Sequence, residues 1–172
     1  MLTTDQKGAI AEMGITWHAT QFGVDVYKPV AEGGRYDLIF DFADRLWRVQ
    51  CKWAAIDGDV IVIRCYSSRR AREGMRKRLY TADEIDAFAA YAAEIDRCYF
   101  LPIEQFPRRA QICLRLGPTR NNQRQLINWA DDFEFAATLA QPQGAVAQLG
   151  ERMPGRHEGT GSSPVGSTLF PA

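Results

Sequence analysis

The sequence YDLIFDF at residues 36–42, followed by LWRVQCKW at residues 46–53, decides the fold. Both stretches are rich in β-branched and aromatic residues, and their apolar side chains alternate with polar ones, which is typical of half-buried strands. A turn around Ala43 and Asp44 joins them. The pattern therefore predicts a β-hairpin that begins an antiparallel meander.

The register of this hairpin follows from the alternation. A two-residue turn places Leu38 opposite Val49 and matches apolar face with apolar face, whereas a slip by one residue would mix the faces. Asp37 then lies opposite Gln50, and Lys52 shares their face because alternate residues of a strand point to the same side. The Ala-Asp turn lacks the glycine that a two-residue turn favours, so a longer loop stays open as an alternative.

A carboxylate, an amide oxygen and an ammonium group on one patch suit the hydrolysis of a phosphodiester bond. The Asp37 carboxylate, the Gln50 side-chain oxygen and the backbone carbonyl of Cys51 are hard oxygen ligands for Mg²⁺. Lys52 can position or help to deprotonate the attacking water, or stabilise charge on the phosphate. Because Gln50 replaces an acid, Glu12 is the candidate for the missing negative charge. The alternative is that these residues only cover the solvent face of a hairpin.

The remaining patterns predict a mixed α/β domain over residues 1–136, followed by a flexible, low-complexity tail rich in Gly, Ser and Pro over residues 137–172. Apolar residues recur at helical spacing in three segments, at residues 5–21, 81–95 and 121–135. The first helix has its predicted apolar stripe at Ile10, Met13 (or Gly14) and Trp17. Further strands are predicted at residues 24–30, 59–68, 97–103 and 111–116.

Charge is balanced over the chain, with 21 basic and 21 acidic residues, but it is unevenly distributed. Residues 64–78, RCYSSRRAREGMRKR, carry seven basic side chains against one acid. Such a stretch could attract phosphates, and the alternative is a solvated loop or helix face. The four cysteines form no CxxC pair, which argues against a structural zinc site. Without an apolar leader or spanning segment, we expect a soluble, cytoplasmic protein.

Several segments resemble the PD-(D/E)XK nuclease superfamily, in the branch where Gln replaces the second acid of the motif. The resemblance rests on QKGAIAE, YKPVAEGGRYDLIFDF and LWRVQCKWA, and it continues in DEIDAFAAYAAEIDRCYFLPIEQF and NQRQLINWADDFEF. That branch includes the endonucleases of mobile group I introns and is similar in its core to Holliday-junction resolvases. The resemblance implies a restriction-endonuclease-like α/β fold, with a mixed β-sheet flanked by helices. It also implies DNA as the substrate.

Position by position, the resemblance implies that Glu12 is the helical acid, Asp37 the acid of the motif, and Gln50 and Lys52 the Q-x-K pair. Tyr36 stands where the motif has its proline. The implied cofactor is Mg²⁺, with Mn²⁺ as a substitute, bound by Glu12, Asp37, Gln50 and Cys51. The basic stretch would then contact DNA phosphates through Arg69, Arg70, Arg72, Arg76, Lys77 and Arg78.

The tail GAVAQLGERMPGRHEGTGSSPVGSTLF resembles a bacterial tRNA gene translated in one frame. VAQLGER is similar to translated D-arm codons, and GTGSSPV to those of the T-arm. We therefore hypothesise that the gene lies against or overlaps a tRNA gene, as expected for a mobile or integrated element. The alternative is an ordinary low-complexity terminus.

The sequence thus predicts a Mg²⁺-dependent DNA endonuclease of the homing or mobile-element type. One alternative is a DNA-binding module that keeps the fold but has lost the chemistry, and another is a Holliday-junction resolvase-like enzyme. A third is a structural protein whose basic stretch binds a protein partner. A chain this short cuts both DNA strands symmetrically more easily as a homodimer or homotetramer.

Overall fold

A computed structural model describes residues 1–31, 33–42, 45–72, 74–118 and 125–139 of the chain. Its helices are α1 (Thr4–Gln21), α2 (Ala130–Phe133) and α3 (Phe135–Thr138), with a 3₁₀ turn at Ile103–Gln105. Its strands are β1 (Asp25–Tyr27), β2 (Leu38–Phe42), β3 (Arg45–Asp57), β4 (Val60–Arg64), β5 (Tyr66–Ala71), β6 (Gly74–Leu79), β7 (Ala87–Ala92), β8 (Arg97–Pro102) and β9 (Gln111–Arg115).

The long strand β3 organises the main sheet, which has seven strands in the described part of the chain. Strands β2 and β4 pair with it antiparallel, and β7 pairs with it parallel, so the sheet is mixed. Strands β1, β9 and β8 extend the sheet from β2, β4 and β7. The predicted register is observed: Leu38 lies opposite Val49 and Phe42 opposite Arg45, which leaves two residues between the strands.

Helix α1 begins with a capping box between Thr3 and Gln6. Its predicted apolar stripe is wrong, because the side chains of Met13 and Trp17 are each 64% exposed. The buried face consists of small and medium residues, Ala11, Ile15 and Ala19. The close approach of the helix to the sheet explains this: a Cβ atom at Gly14 would lie 2.9 Å from the Tyr91 ring.

The helix predicted at residues 81–95 is wrong, since residues 87–92 form β7. The apolar run AFAAYA lies between β3 and β8, with Ala87 and Ala89 in one core and Phe88 and Ala90 in the other. A strand buried on both faces has no two-residue alternation, and its periodicity does not distinguish it from a buried helix. A single turn directly follows Thr81, whose carbonyl accepts hydrogen bonds from the backbone N–H groups of residues 84 and 85.

The predicted closing helix over residues 121–135 is also wrong in the described part. Strand-like pairing between Glu134 and Tyr99 separates two single-turn helices, α2 and α3. Helix α3 still packs on the sheet, because Phe135 and Leu139 are buried in the same cluster as the inner face of α1. The predicted tail lies outside the described residues from position 140 onward. Within the described ranges, no helix is long and apolar enough to cross a bilayer.

Candidate functional site

Asp37 lies immediately before β2 and is fixed against β3. Its backbone N–H donates to the carbonyl of Val49 over 2.9 Å. Its carboxylate oxygen Oδ2 accepts hydrogen bonds from the backbone N–H of Cys51, over 2.8 Å, and from the Gln50 side-chain amide. The hairpin register thus turns two neighbouring positions of β3 into direct partners of this carboxylate.

Gln50 and Lys52 are on the Asp37 side of β3, as the alternation predicts. Gln50 is only 7% exposed, and its Nε2 also donates to the carbonyl of Cys51 over 3.3 Å. The Cys51 thiol points into the core beneath α1, where burial raises its pKa well above the usual range. The Lys52 ammonium donates to the Tyr66 carbonyl over 3.4 Å and to the Tyr80 hydroxyl over 3.3 Å.

Glu12 reaches the site from α1. It shares with Asp37 a cavity of about 520 Å³ between the first half of the helix and the segment that leads into β2. Lys28, which also lines this cavity, forms a 2.8 Å ion pair with Glu12. The helix and the hairpin therefore bring Glu12, Asp37, Gln50 and Lys52 to one region of the molecule.

The electrostatics of the site follow from burial and from the proximity of two like charges, the carboxylates of Asp37 and Glu12. Burial raises the pKa of Asp37, and the nearby charge of Glu12 raises it further. The hydrogen bond from the Cys51 backbone and the charges of Lys52 and Lys28 oppose this shift without cancelling it. Burial also lowers the pKa of Lys52. A positive ion between the two carboxylates would relieve the repulsion that raises the pKa of Asp37.

The donor set fits a hard divalent cation. Two carboxylates, one amide and the Cys51 carbonyl supply oxygen ligands of the kind that Mg²⁺ prefers. No group of three or more His, Cys, Asp or Glu side chains in the described ranges is placed to hold a metal. The side chain that lies against Asp37 is an amide, Gln50, rather than a further acid. Its amide nitrogen faces Asp37 in this structure. The amide has to turn for its oxygen to become a ligand.

The basic stretch forms the β5–β6 hairpin, a two-stranded sheet separate from the main one. Arg69 and Arg70 lie on β5, opposite Arg76 and Met75 of β6. Arg72 is exposed near the tip, between the two strands. On β6, the exposed Lys77 ammonium lies 4.7 Å from the Tyr66 ring, and Arg78 pairs with Glu84. These positions form a basic arm next to Lys52.

Three residues near the site were not singled out from the sequence: Arg35, Tyr80 and Glu84. Arg35 donates to the Leu79 carbonyl over 2.8 Å and to Glu84 over 2.9 Å, and thereby connects the segment before Asp37 to the end of the basic arm. Its position in GGRYD, two residues before the acid, was the available signal. Tyr80 and Glu84 follow the basic stretch in sequence, and only the tertiary structure brings them to Arg35.

Comparisons with known proteins agree with this geometry. A protein-family model described as PD-(D/E)XK endonuclease matches residues 2–136. The structure of a bacterial homing endonuclease, I-Ssp6803I, aligns with a TM-score of 0.65 and 24% sequence identity, covering 90% of this chain and 100% of that chain. This likeness confirms the predicted restriction-endonuclease-like fold. No curated protein sequence matches the chain.

Proposed function

Because the chain belongs to the PD-(D/E)XK endonuclease family, we propose that it hydrolyses DNA phosphodiester bonds in a reaction that requires Mg²⁺ or Mn²⁺. The observation that carries this proposal is the partly buried Asp37 carboxylate, which shares a cavity with Glu12 and contacts Gln50. Two acids and one ammonium group, all partly buried, suit an enzyme that must bind a cation and a phosphate in the same place.

In this proposal, different residues of the site have different roles. Glu12, Asp37, the Gln50 amide and the Cys51 carbonyl bind the cation. When bound, the cation lowers the pKa of a coordinated water and offsets the charge of the phosphate. Lys52 orients the attacking water or stabilises the charge that develops on the phosphate. Burial of this patch strengthens each of these interactions, since charges attract more strongly away from bulk water.

The basic arm supplies the contacts to DNA in this proposal. Phosphate contacts position a protein on DNA without reading the sequence, and they require exposed cations rather than a particular side-chain geometry. The proposed group contains the residues predicted from the sequence: Arg69, Arg70, Arg72, Arg76, Lys77 and Arg78. Within this group, Arg78 forms an ion pair with a protein acid, Glu84.

The decisive experiment is cleavage of supercoiled plasmid with Mg²⁺, Mn²⁺ or EDTA. We expect cutting only with a metal, and a loss of at least about a hundredfold in Asp37→Ala and Lys52→Ala. Asp57→Ala and Lys7→Ala are matched controls, since neither residue lines the shared cavity, and they should cut at the native rate. Native activity in Asp37→Ala would place the chemistry elsewhere.

A catalytically inactive DNA-binding module of the same fold is the second candidate. The neutral side chain of Gln50 favours it, because the proposed metal site then has the negative charges of Glu12 and Asp37 but none from Gln50. Salt-dependent DNA binding by the native protein, without cleavage of plasmid, tRNA-gene fragment or four-way junction in either metal, would establish this candidate. Cleavage confined to the junction would instead indicate a resolvase-like enzyme.

We also propose a homing or mobile-element role, a homodimer or homotetramer, a cytoplasmic location and a domain that ends near residue 136. The tRNA-like tail supports the first of these, together with the likeness to a homing endonuclease. The tail segment lies outside the described residues. Codons 144–168 that cannot fold into a cloverleaf would contradict the tRNA hypothesis, whereas a discrete break in a DNA fragment carrying the matching tRNA gene would support the homing role.

A further inference from the structure

Tyr80 contacts two cations, Lys52 and Arg35. The Lys52 ammonium donates to the Tyr80 hydroxyl and lies 4.7 Å from the centroid of its ring. The guanidinium carbon of Arg35 lies 3.9 Å from the same centroid. Aromatic faces attract cations, and the attraction is stronger where water is excluded. Tyr80 is only 5% exposed, so both contacts are largely shielded from water.

Tyr80 is itself held in place. The edge-to-face contact with Phe88 of β7, at 5.4 Å between ring centroids, fixes the ring against the core. Its chain neighbours are tied down as well, because Leu79 accepts a hydrogen bond from Arg35 and Thr81 donates its N–H to Glu84. Lys52 has a flexible four-carbon side chain. Because the Tyr80 ring is held rigidly, its contacts keep the ammonium group at the end of that side chain in one position.

The hydrogen bonds that Lys52 makes within the protein leave one of its N–H donors for the substrate. An ammonium group has three N–H donors. Two of them are directed to the Tyr66 carbonyl and the Tyr80 hydroxyl, at the base of the basic arm, where the start of β5 pairs with the end of β6. One donor remains for a water molecule or a phosphate oxygen. Loss of either acceptor would release the ammonium to rotate among several directions.

We propose that Tyr80 is a positioning residue for Lys52, and that Arg35 holds Tyr80 and the base of the basic arm in place. What Lys52 then does in cleavage rests on the proposed function. Because Tyr66 begins the arm and Leu79 ends it, the same contacts join the arm to Lys52. DNA seated on the arm is thereby held in register with the cleavage site.

The test uses Tyr80→Phe in the full chain, which removes the hydroxyl and keeps the ring. In protein free of metal and DNA, we expect the reactivity of Lys52 toward acetic anhydride, measured by mass spectrometry, to rise severalfold. Lys7 and Lys28 serve as internal references and should not change. In single-turnover cleavage at saturating DNA, we expect the rate to fall about tenfold, while the Kd for DNA stays within about twofold of the native value.

Tyr99→Phe is the matched control, because Tyr99 is a fully buried tyrosine in the same core cluster as Tyr80, and the Lys52 ammonium donates to Tyr66 and Tyr80 rather than to Tyr99. Unchanged Lys52 labelling in Tyr80→Phe, or an equal rise in Tyr99→Phe, would overturn the proposal. If Tyr80→Phe does not fold, the labelling of Lys52 in Arg35→Lys tests the proposal instead, because this variant loses the planar guanidinium that contacts the Tyr80 ring. A rise in labelling together with a native protein that never cleaves DNA would sustain the positioning role and refute the proposed nuclease function.

Discussion

At the scale of single residues, Gln50 sets the charge of the proposed metal site. Its neutral amide lies against Asp37 and the Cys51 carbonyl, in a position that is 7% exposed. A third carboxylate there would add to the repulsion that Glu12 already exerts on Asp37. The amide donates a hydrogen bond instead, which stabilises the Asp37 carboxylate in the metal-free protein.

We therefore expect Gln50→Glu to destabilise the metal-free protein and to strengthen metal binding. The metal-free variant should unfold at a lower temperature than the native protein, because three acids then share one buried patch. With Mg²⁺ the difference should shrink, and half-maximal cleavage should need on the order of tenfold less metal, since ligand charge sets cation affinity. Thermal unfolding and metal titrations of cleavage measure both effects. Gln111→Glu, at an exposed position of β9, should change neither.

Asp86 connects β3 to the start of β7. Its carboxylate accepts hydrogen bonds from the backbone N–H and the guanidinium of Arg48, and it pairs with Arg45 over 2.7 Å. Burial alone would raise the pKa of Asp86, but the hydrogen bonds and charge of Arg48, with the charge of Arg45, lower it below 3.8. Since the folded-state pKa is lowered, this stabilisation is present above pH 3.8 and is lost as the pH falls through the folded-state value.

Asp86→Asn should therefore lower the free energy of unfolding at neutral pH by about 2 kcal/mol. The difference from the native protein should shrink below pH 3.8, where the native carboxyl takes up a proton. Denaturant unfolding across this pH range is the measurement. Asp83→Asn, an exposed neighbour, should follow the native curve, and a constant difference at every pH would rule out the charge of Asp86 as the cause.

The basic arm is the element that carries the predicted DNA contacts. Among the strands that the structure describes, β5 and β6 pair only with each other, so their exposed side chains can be changed without disturbing the main sheet. If these cations neutralise phosphates, they set the salt dependence of binding. The arm's sequence predicted its charge, but not that it would form a hairpin.

Replacing Arg76 and Lys77 together by Gln should weaken DNA binding equally for all sequences. The slope of log affinity against log salt should become shallower by roughly 1.8, which corresponds to two lost phosphate contacts. Fluorescence anisotropy at several salt concentrations measures this slope. The double variant Arg108→Gln, Arg109→Gln removes two exposed cations outside the arm, and a similar change of slope there would show that the effect is one of net charge.

At the scale of the whole molecule, two apolar cores cover the faces of the sheet. The core beneath α1 is completed from the far end of the domain, by Phe135 and Leu139. Phe135 contacts Phe40 edge to face, at 6.2 Å between ring centroids. The last turn of helix therefore closes the core that supports β2 and, through it, Asp37.

Truncation tests how far the folded domain extends. A chain ending at residue 139 keeps every described residue of this core, so it should unfold and cleave like the full chain. A chain ending at residue 134 loses Phe135 and should be destabilised by about 3 to 5 kcal/mol. Denaturant unfolding measures both. Equal stability of the two truncations would show that α3 contributes little, and loss of cleavage in the longer one would assign a role to the tail.

The sequence by itself determined the β2–β3 hairpin and the face shared by Asp37, Gln50 and Lys52. These residues are at most 15 positions apart, and their alternation fixes which side of a strand each one occupies. The family resemblance also follows from this stretch and the segments around it. Glu12 was the candidate for the missing negative charge and was then matched to the family's helical acid, but no local pattern places a helix residue beside a strand 25 positions later.

Only the tertiary structure decided that residues 87–92 form a strand and that α1 buries Ala11 rather than Met13. It also decided that Tyr80 contacts both Lys52 and Arg35. In β7, burial on both faces removes the alternation that identifies a strand, and partners on either side outweigh the helix propensity of its alanines. Contacts between distant segments depend on how the sheet and α1 pack together. The sequence therefore determined the local face that carries the proposed chemistry, and packing decided what holds that face in place.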